Sequence, residues 1–86
     1  MNIEKLKKCF KTAMSVKAKY IAVKIKMNNL EKCEIIVNPI ENATEKLKYY
    51  SEAYNEDLTL KACKDIKIVD FTFGNELSDI EEDLCY

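Results

Sequence analysis

Four cysteines and fifteen carboxylates are the side chains here best suited to metal binding or nucleophilic attack, and histidine is absent. Cys9, Cys33, Cys63 and Cys85 are widely spaced, with no C-x-x-C pair. Zinc ribbons and dithiol redox motifs need such a pair on one turn, and no Cys/His site can form without histidine. An even count would allow two disulfides in an exported chain. The N-terminal segment is amphipathic and lysine-studded, without the apolar core of a secretory signal, so the expectation is a cytoplasmic protein with four reduced thiols, mostly small buried hydrophobes.

Nucleophilic catalysis by a lone cysteine would need a base, and only lysine or a carboxylate could serve. A single glycine leaves no phosphate-cradling loop. Glu81, Glu82 and Asp83 are adjacent, but neighbours on a helix diverge by about 100° and do not converge on one metal or bond. The inventory points to a non-catalytic protein without a cofactor.

Charge placement is more informative. All fourteen basic residues are lysines. Residues 1–32 carry nine lysines and two acids, a balance of +7; residues 33–86 carry five lysines and thirteen acids, a balance of −8. The overall −1 hides two opposed poles. The acidic pole ends in "NELSDIEEDLCY", where Leu77, Ile80 and Leu84 recur at helical spacing and Ser78-x-x-Glu81 reads as a capping box. Glu76, Asp79, Glu82 and Asp83 then fall opposite the apolar stripe. Tyr49, among Glu41, Glu45 and Glu52, is a candidate aromatic anchor. These five residues form the candidate partner-binding set. Lys5, Lys8, Lys11, Lys24 and Lys26 form an alternative basic face for nucleic acid, which the lack of arginine and the nearby acidic pole disfavour. Both poles also have a plainer reading as solvated helix faces that attract each other.

The elements that must position these residues follow from periodicity. Residues 2–15 repeat Ile3, Leu6, Phe10, Ala13 and Met14 on one helical face, with Asn2 as cap and Glu4–Lys8 as a favourable pair. Residues 19–27 alternate, with Ile21, Val23, Ile25 and Met27 on one side and Tyr20, Ala22, Lys24 and Lys26 on the other. Residues 33–38 read as a second strand with Cys33, Ile35 and Val37 inward, forming an antiparallel hairpin with the first. "NPIE" starts a helix, Asn38 capping and Pro39 in the first turn, that runs to about Tyr54 with Ile40, Ala43, Leu47, Tyr50 and Tyr54 buried. Leu58, Leu60 and Ala62 belong to a loop or a short edge strand.

"IKIVDFTF" contains a conflict. Ile66 and Ile68 fall on one face, and Val69, Phe71 and Phe73 on the other. Either a bulge shifts the register or both faces are covered. The second case would suit a homodimer burying Ile66 and Ile68, or Ile36. The expected fold is one α+β domain over residues 1–86, a two-layer sandwich of order αββαβα. Its three-stranded antiparallel sheet has order 2-1-3, with helices mainly on one face.

The stretches "EIIVNPIENATEKLKYYSEAYNEDL" and "IVDFTFG", with the abundance of Lys, Asn, Ile, Glu and Tyr, resemble short uncharacterised accessory proteins of low-GC Gram-positive phages and mobile elements. The likeness is one of composition and carries no signature motif. It implies a small interaction protein whose partner is a host or phage protein. One such role is inhibition of a nucleic-acid-handling or defence protein in the manner of an anti-CRISPR, with the acidic helix entering a basic groove. A structural homo-oligomer is the alternative. No apolar run is long enough to span a bilayer.

Overall fold

The computed structural model describes residues 2–27 and 33–84. The polar connection at 28–32 and the thiol of Cys85 lie outside them. The chain runs through α1 (Ile3–Ser15), β1 (Tyr20–Met27), β2 (Cys33–Pro39), a 3₁₀ turn (Ile40–Asn42), α2 (Ala43–Ala53), β3 (Thr59–Leu60), β4 (Cys63–Gly74) and α3 (Leu77–Leu84). The sheet has order β2-β1-β4-β3 and is antiparallel throughout. The α+β class and the 2-1-3 core of the sheet are as expected. A fourth strand is added at the edge, formed from the stretch around Leu60.

α1 forms as its pattern dictates. The Asn2 side chain accepts from the Lys5 N–H at 3.0 Å, and Ile3, Leu6, Phe10 and Ala13 are buried. Its surface ion pair is Lys7–Glu4, 3.6 Å apart and one residue shorter in spacing than the expected Glu4–Lys8 pair. The helix ends without glycine. Lys17 takes a left-handed φ of 56°, while the N–H groups of Lys17 and Ala18 donate to the carbonyls of Met14 and Ala13.

β1 and β2 pair as a hairpin in one unbroken register, Tyr20 opposite Pro39 through Lys26 opposite Cys33. The strand continues through Pro39 because the Ile40 N–H still donates to the Lys19 carbonyl, at 2.9 Å. Asn38 is therefore a strand residue opposite Ile21, not the expected helix cap, and Pro39 precedes the 3₁₀ turn. Ile35 and Val37 face one side of the sheet and Ile36 the other, so β2 is apolar on both.

The conflict in "IKIVDFTF" is resolved by a bulge. Lys24 stands opposite Asp70 but Ile25 stands opposite Ile68, which leaves Val69 as the extra residue. Ile66 and Ile68 before it and Phe71 and Phe73 after it all reach the same core. Ile66 and Ile68 therefore need no second copy of the chain to cover them.

Leu58 closes the α2–β3 connection with a φ of 69° and no exposed surface. Its N–H donates to the Asn55 carbonyl and its carbonyl accepts from the Ile68 N–H. This left-handed position is usual for glycine; here burial of the side chain holds it.

Two cores flank the sheet. The larger joins α1 and α2 to Ile21, Val23, Ile25 and Ile68; the smaller joins Ile80 and Leu84 of α3 to Ala22, with Tyr20, Ile35 and Val37 against them. The molecule is thus helix pair, sheet and single helix, rather than two layers.

Candidate protein-interaction surface

α3 is held on the sheet at both ends. At its start the Asn75 side-chain carbonyl accepts from the Lys19 N–H at 3.1 Å, and the first turn closes with the Ile80 N–H on the Glu76 carbonyl at 3.3 Å. Glu76 therefore precedes the helix and Ser78 lies inside it, so the expected Ser78-x-x-Glu81 capping box does not form. At its end, Lys24 Nζ donates to the Leu84 carbonyl at 2.6 Å. Between them Ile80 and Leu84 are fully buried, and Thr72 Oγ1 donates to Asp83 Oδ2 at 3.1 Å.

The outer surface carries Glu76, Asp79, Glu81, Glu82 and Asp83, all exposed. Leu77, expected in the buried stripe, is 50% exposed. It sits at the first position of a two-turn helix, beyond the reach of the sheet that covers Ile80 and Leu84. An exposed apolar side chain at the start of an acidic helix is the result. The helix has no basic residue in its last turn, and Glu81, Glu82 and Asp83 stand near the negative end of its dipole. Those acids oppose helix formation, and Lys24 from β1 supplies the compensating cation.

The fold separates the expected partner-binding set. Tyr49 is 52% exposed, but on α2, which packs on the opposite side of the sheet from α3. Its ring lies 5.3 Å from that of Tyr50, which also meets Tyr54 at 5.7 Å and Phe10 at 6.0 Å. Glu76, Asp79, Glu82 and Asp83 stay together without it.

The alternative basic face is divided more severely. Lys5, Lys8 and Lys11 are exposed on α1. Strand alternation sends Lys24 and Lys26 to the side that α1 does not cover. Lys24 is only 8% exposed and serves α3. A shallow concavity of about 570 Å³ does run along α1, lined by Lys7, Lys8 and Lys11 with Glu4, Thr12 and Ser15. Because α1 and α3 lie on opposite sides of the sheet, the basic and acidic poles do not dock against each other.

The thiols differ from the expected buried set. Cys9, Cys33 and Cys63 are free, the first two half-buried and Cys63 exposed. Burial pushes the Cys9 thiol up to about 11, and the Asp70 charge adds to the shift. Burial also raises Tyr50 to about 12, with smaller contributions from Tyr54 and Tyr49. Neither group is poised for chemistry near neutral pH. Among the described residues no helix is long and apolar enough to cross a membrane, and no three cysteine or carboxylate side chains group as metal ligands would.

Sequence reasoning missed Leu77 as a surface residue and Lys24 as a buried one. A signal for Lys24 existed: it sits in the middle of a strand with apolar neighbours on either side. Leu77 had none, since its spacing suits the stripe. Comparison with protein families, curated proteins and solved structures finds no match to this chain.

Proposed function

We propose that this protein is a non-catalytic interaction module that docks on a basic groove of another protein through the outer face of α3. Leu77, at the first position of the helix and next to Glu76, is the apolar contact, and Asp79 and Glu82 supply the charge along the outer face, with Asp83 partly engaged by Thr72. Interfaces of this kind centre on a desolvated apolar residue, and surrounding charges set on-rate and specificity. The observation that carries the reading is the half-exposed Leu77 within a helix whose terminal acids work against its own dipole. A partner that normally handles nucleic acid fits, because its groove already presents cations spaced for phosphates. An inhibitor of a host defence nuclease, of the phage-accessory type that the composition resembles, is the specific form of the proposal. Tyr49, across the sheet, is outside the primary surface.

Affinity capture from host lysate, with mass spectrometry, tests this. The wild type is compared with Leu77→Ser and with the double variant Asp79→Asn, Glu82→Gln. Loss of the same captured protein in both variants, and a decline of wild-type capture with salt, are expected. Undiminished capture by both variants would overturn the proposal.

A further inference from the structure

The two edges of the sheet are built differently. β3 is two residues long, its pairing with β4 is irregular, and Lys61, Lys64 and Lys67 surround it. Short, irregular and lysine-guarded edges resist pairing with other chains. β2 is seven residues long and regularly paired, and it contains none of the fourteen lysines. Its Ile35, Ile36 and Val37 are each half-buried although they are consecutive aliphatic residues. Among the described residues β2 has a neighbour only on its β1 side.

The outward backbone groups follow from the ladder. The Ile40 N–H donates to the Lys19 carbonyl, so Lys19 and Ile40 are a hydrogen-bonded pair. Such pairs alternate in an antiparallel ladder. The register then makes Asn38–Ile21, Ile36–Val23 and Glu34–Ile25 the other bonded pairs. The N–H and C=O groups of Cys33, Ile35 and Val37 point away from β1. Pro39 belongs to the same outward set, so its missing N–H costs the β1–β2 ladder nothing and marks where outer pairing stops.

We propose that this edge pairs antiparallel with the same edge of a second copy of the chain, about a twofold axis at Ile36. In that register Ile36 meets Ile36, Ile35 meets Val37 on each side of the axis, and Glu34 meets Asn38 on each side. The N–H and C=O groups of Ile35 and Val37 satisfy those of Val37 and Ile35 in the second copy. The Cys33 N–H reaches the Pro39 carbonyl. No like charges are opposed, so the strand is complementary to itself, as a twofold interface requires. Ile35 and Val37 extend the smaller core across the axis and Ile36 extends the larger one. The pairing uses neither α3 nor Leu77, and it stands or falls apart from the partner-docking reading.

Sedimentation equilibrium of the full chain across the micromolar range tests the proposal, with a monomer–dimer equilibrium expected. Asn38→Asp opposes two carboxylate pairs and should weaken the dimer roughly two- to thirtyfold, while Asn38→Lys should tighten it by a similar factor. Both shifts should shrink as salt rises. Circular dichroism checks that the variants remain folded. In a background with every native cysteine replaced by serine, Ile36→Cys should form a symmetric intermolecular disulfide and Glu34→Cys should not. A strictly monomeric wild type, or shifts of the same sign for both Asn38 variants, would overturn the proposal. Preferential cross-linking at Glu34→Cys would overturn it equally. Should Ile36→Cys fail to fold, the Asn38 pair alone decides.

Discussion

Lys24 reaches from the middle of β1 to the end of α3, its Nζ 2.6 Å from the Leu84 carbonyl. The last carbonyls of a helix have no partners within it, and they carry the negative end of the dipole. Lys24 supplies both a donor and a cation to a helix that lacks a basic residue in its last turn. It also stands opposite Asp70 across the β1–β4 pairing. A lysine that looks like surface charge in the sequence is thus a structural tie between strand and helix.

Lys24→Met keeps the stem and removes the donor. Hydrogen bonds involving a charged group are worth about 1.5–3 kcal/mol, and stability should fall by about that amount. Amide hydrogen exchange should accelerate in α3 while α1 keeps its protection. Uniform loss of protection in both helices would contradict a local role.

The three apolar positions of α3 should respond unequally. Ile80→Ala or Leu84→Ala, at fully buried sites, should cost about 2–5 kcal/mol. Leu77→Ala should stay within about 0.5 kcal/mol, as exposed positions do. Asp79→Asn with Glu82→Gln should leave the melting temperature nearly unchanged, because exposed charge contributes about 0–1 kcal/mol. Thermal melts of the series distinguish the buried pair from the outer face.

Deletion of Val69 should leave the fold intact. Val69 is the unpaired residue between the Lys24–Asp70 and Ile25–Ile68 pairs, so its removal makes the β1–β4 register continuous without changing any pair. The remaining I-K-I-D-F-T-F alternates regularly and keeps Ile66, Ile68, Phe71 and Phe73 on the larger core. Inserting a second residue beside Val69 should instead turn one flank to the other face and abolish the fold. Loss of cooperative unfolding in the deletion variant, followed by circular dichroism in urea, would contradict this account.

Alkaline pH should destabilise the protein through Cys9 and Tyr50. Burial raises the Cys9 thiol from 9.0 to about 11 and the Tyr50 phenol from 10.0 to about 12. In these windows the unfolded chain has lost protons that the folded chain still holds, so stability falls as pH rises. The contribution is complete below about pH 9 and is lost as pH passes from 9 through 12. Cys9→Ala with Tyr50→Phe should flatten urea midpoints over that range. At pH 8 Cys63, which is exposed, should react with a thiol reagent well before Cys9.

Much of the architecture could be read in the residues themselves. Local rules specify α1, from the Asn2 cap and the stripe of Ile3, Leu6, Phe10 and Ala13, and the β1–β2 hairpin, from alternation over a short connection. The conflict in "IKIVDFTF" marked the bulge, because five apolar residues at broken alternation leave few other solutions. These features depend on neighbours within a few positions, and periodicity records them directly.

What tertiary structure decided is which side of the sheet each element occupies. A strand with apolar residues on both faces, such as β2, accepts a helix on either, so nothing local places α3 across the sheet from α1 and α2. That placement separates Tyr49 from the acidic helix and keeps the two charge poles apart. It also buries Lys24 beneath the end of α3 and leaves Leu77 in solvent although its spacing matches Ile80 and Leu84. Pro39 shows the same limit on a smaller scale. Its sequence context suits the first turn of a helix, but the ladder to Lys19 continues past it, and a hydrogen bond between strands outweighs a local preference.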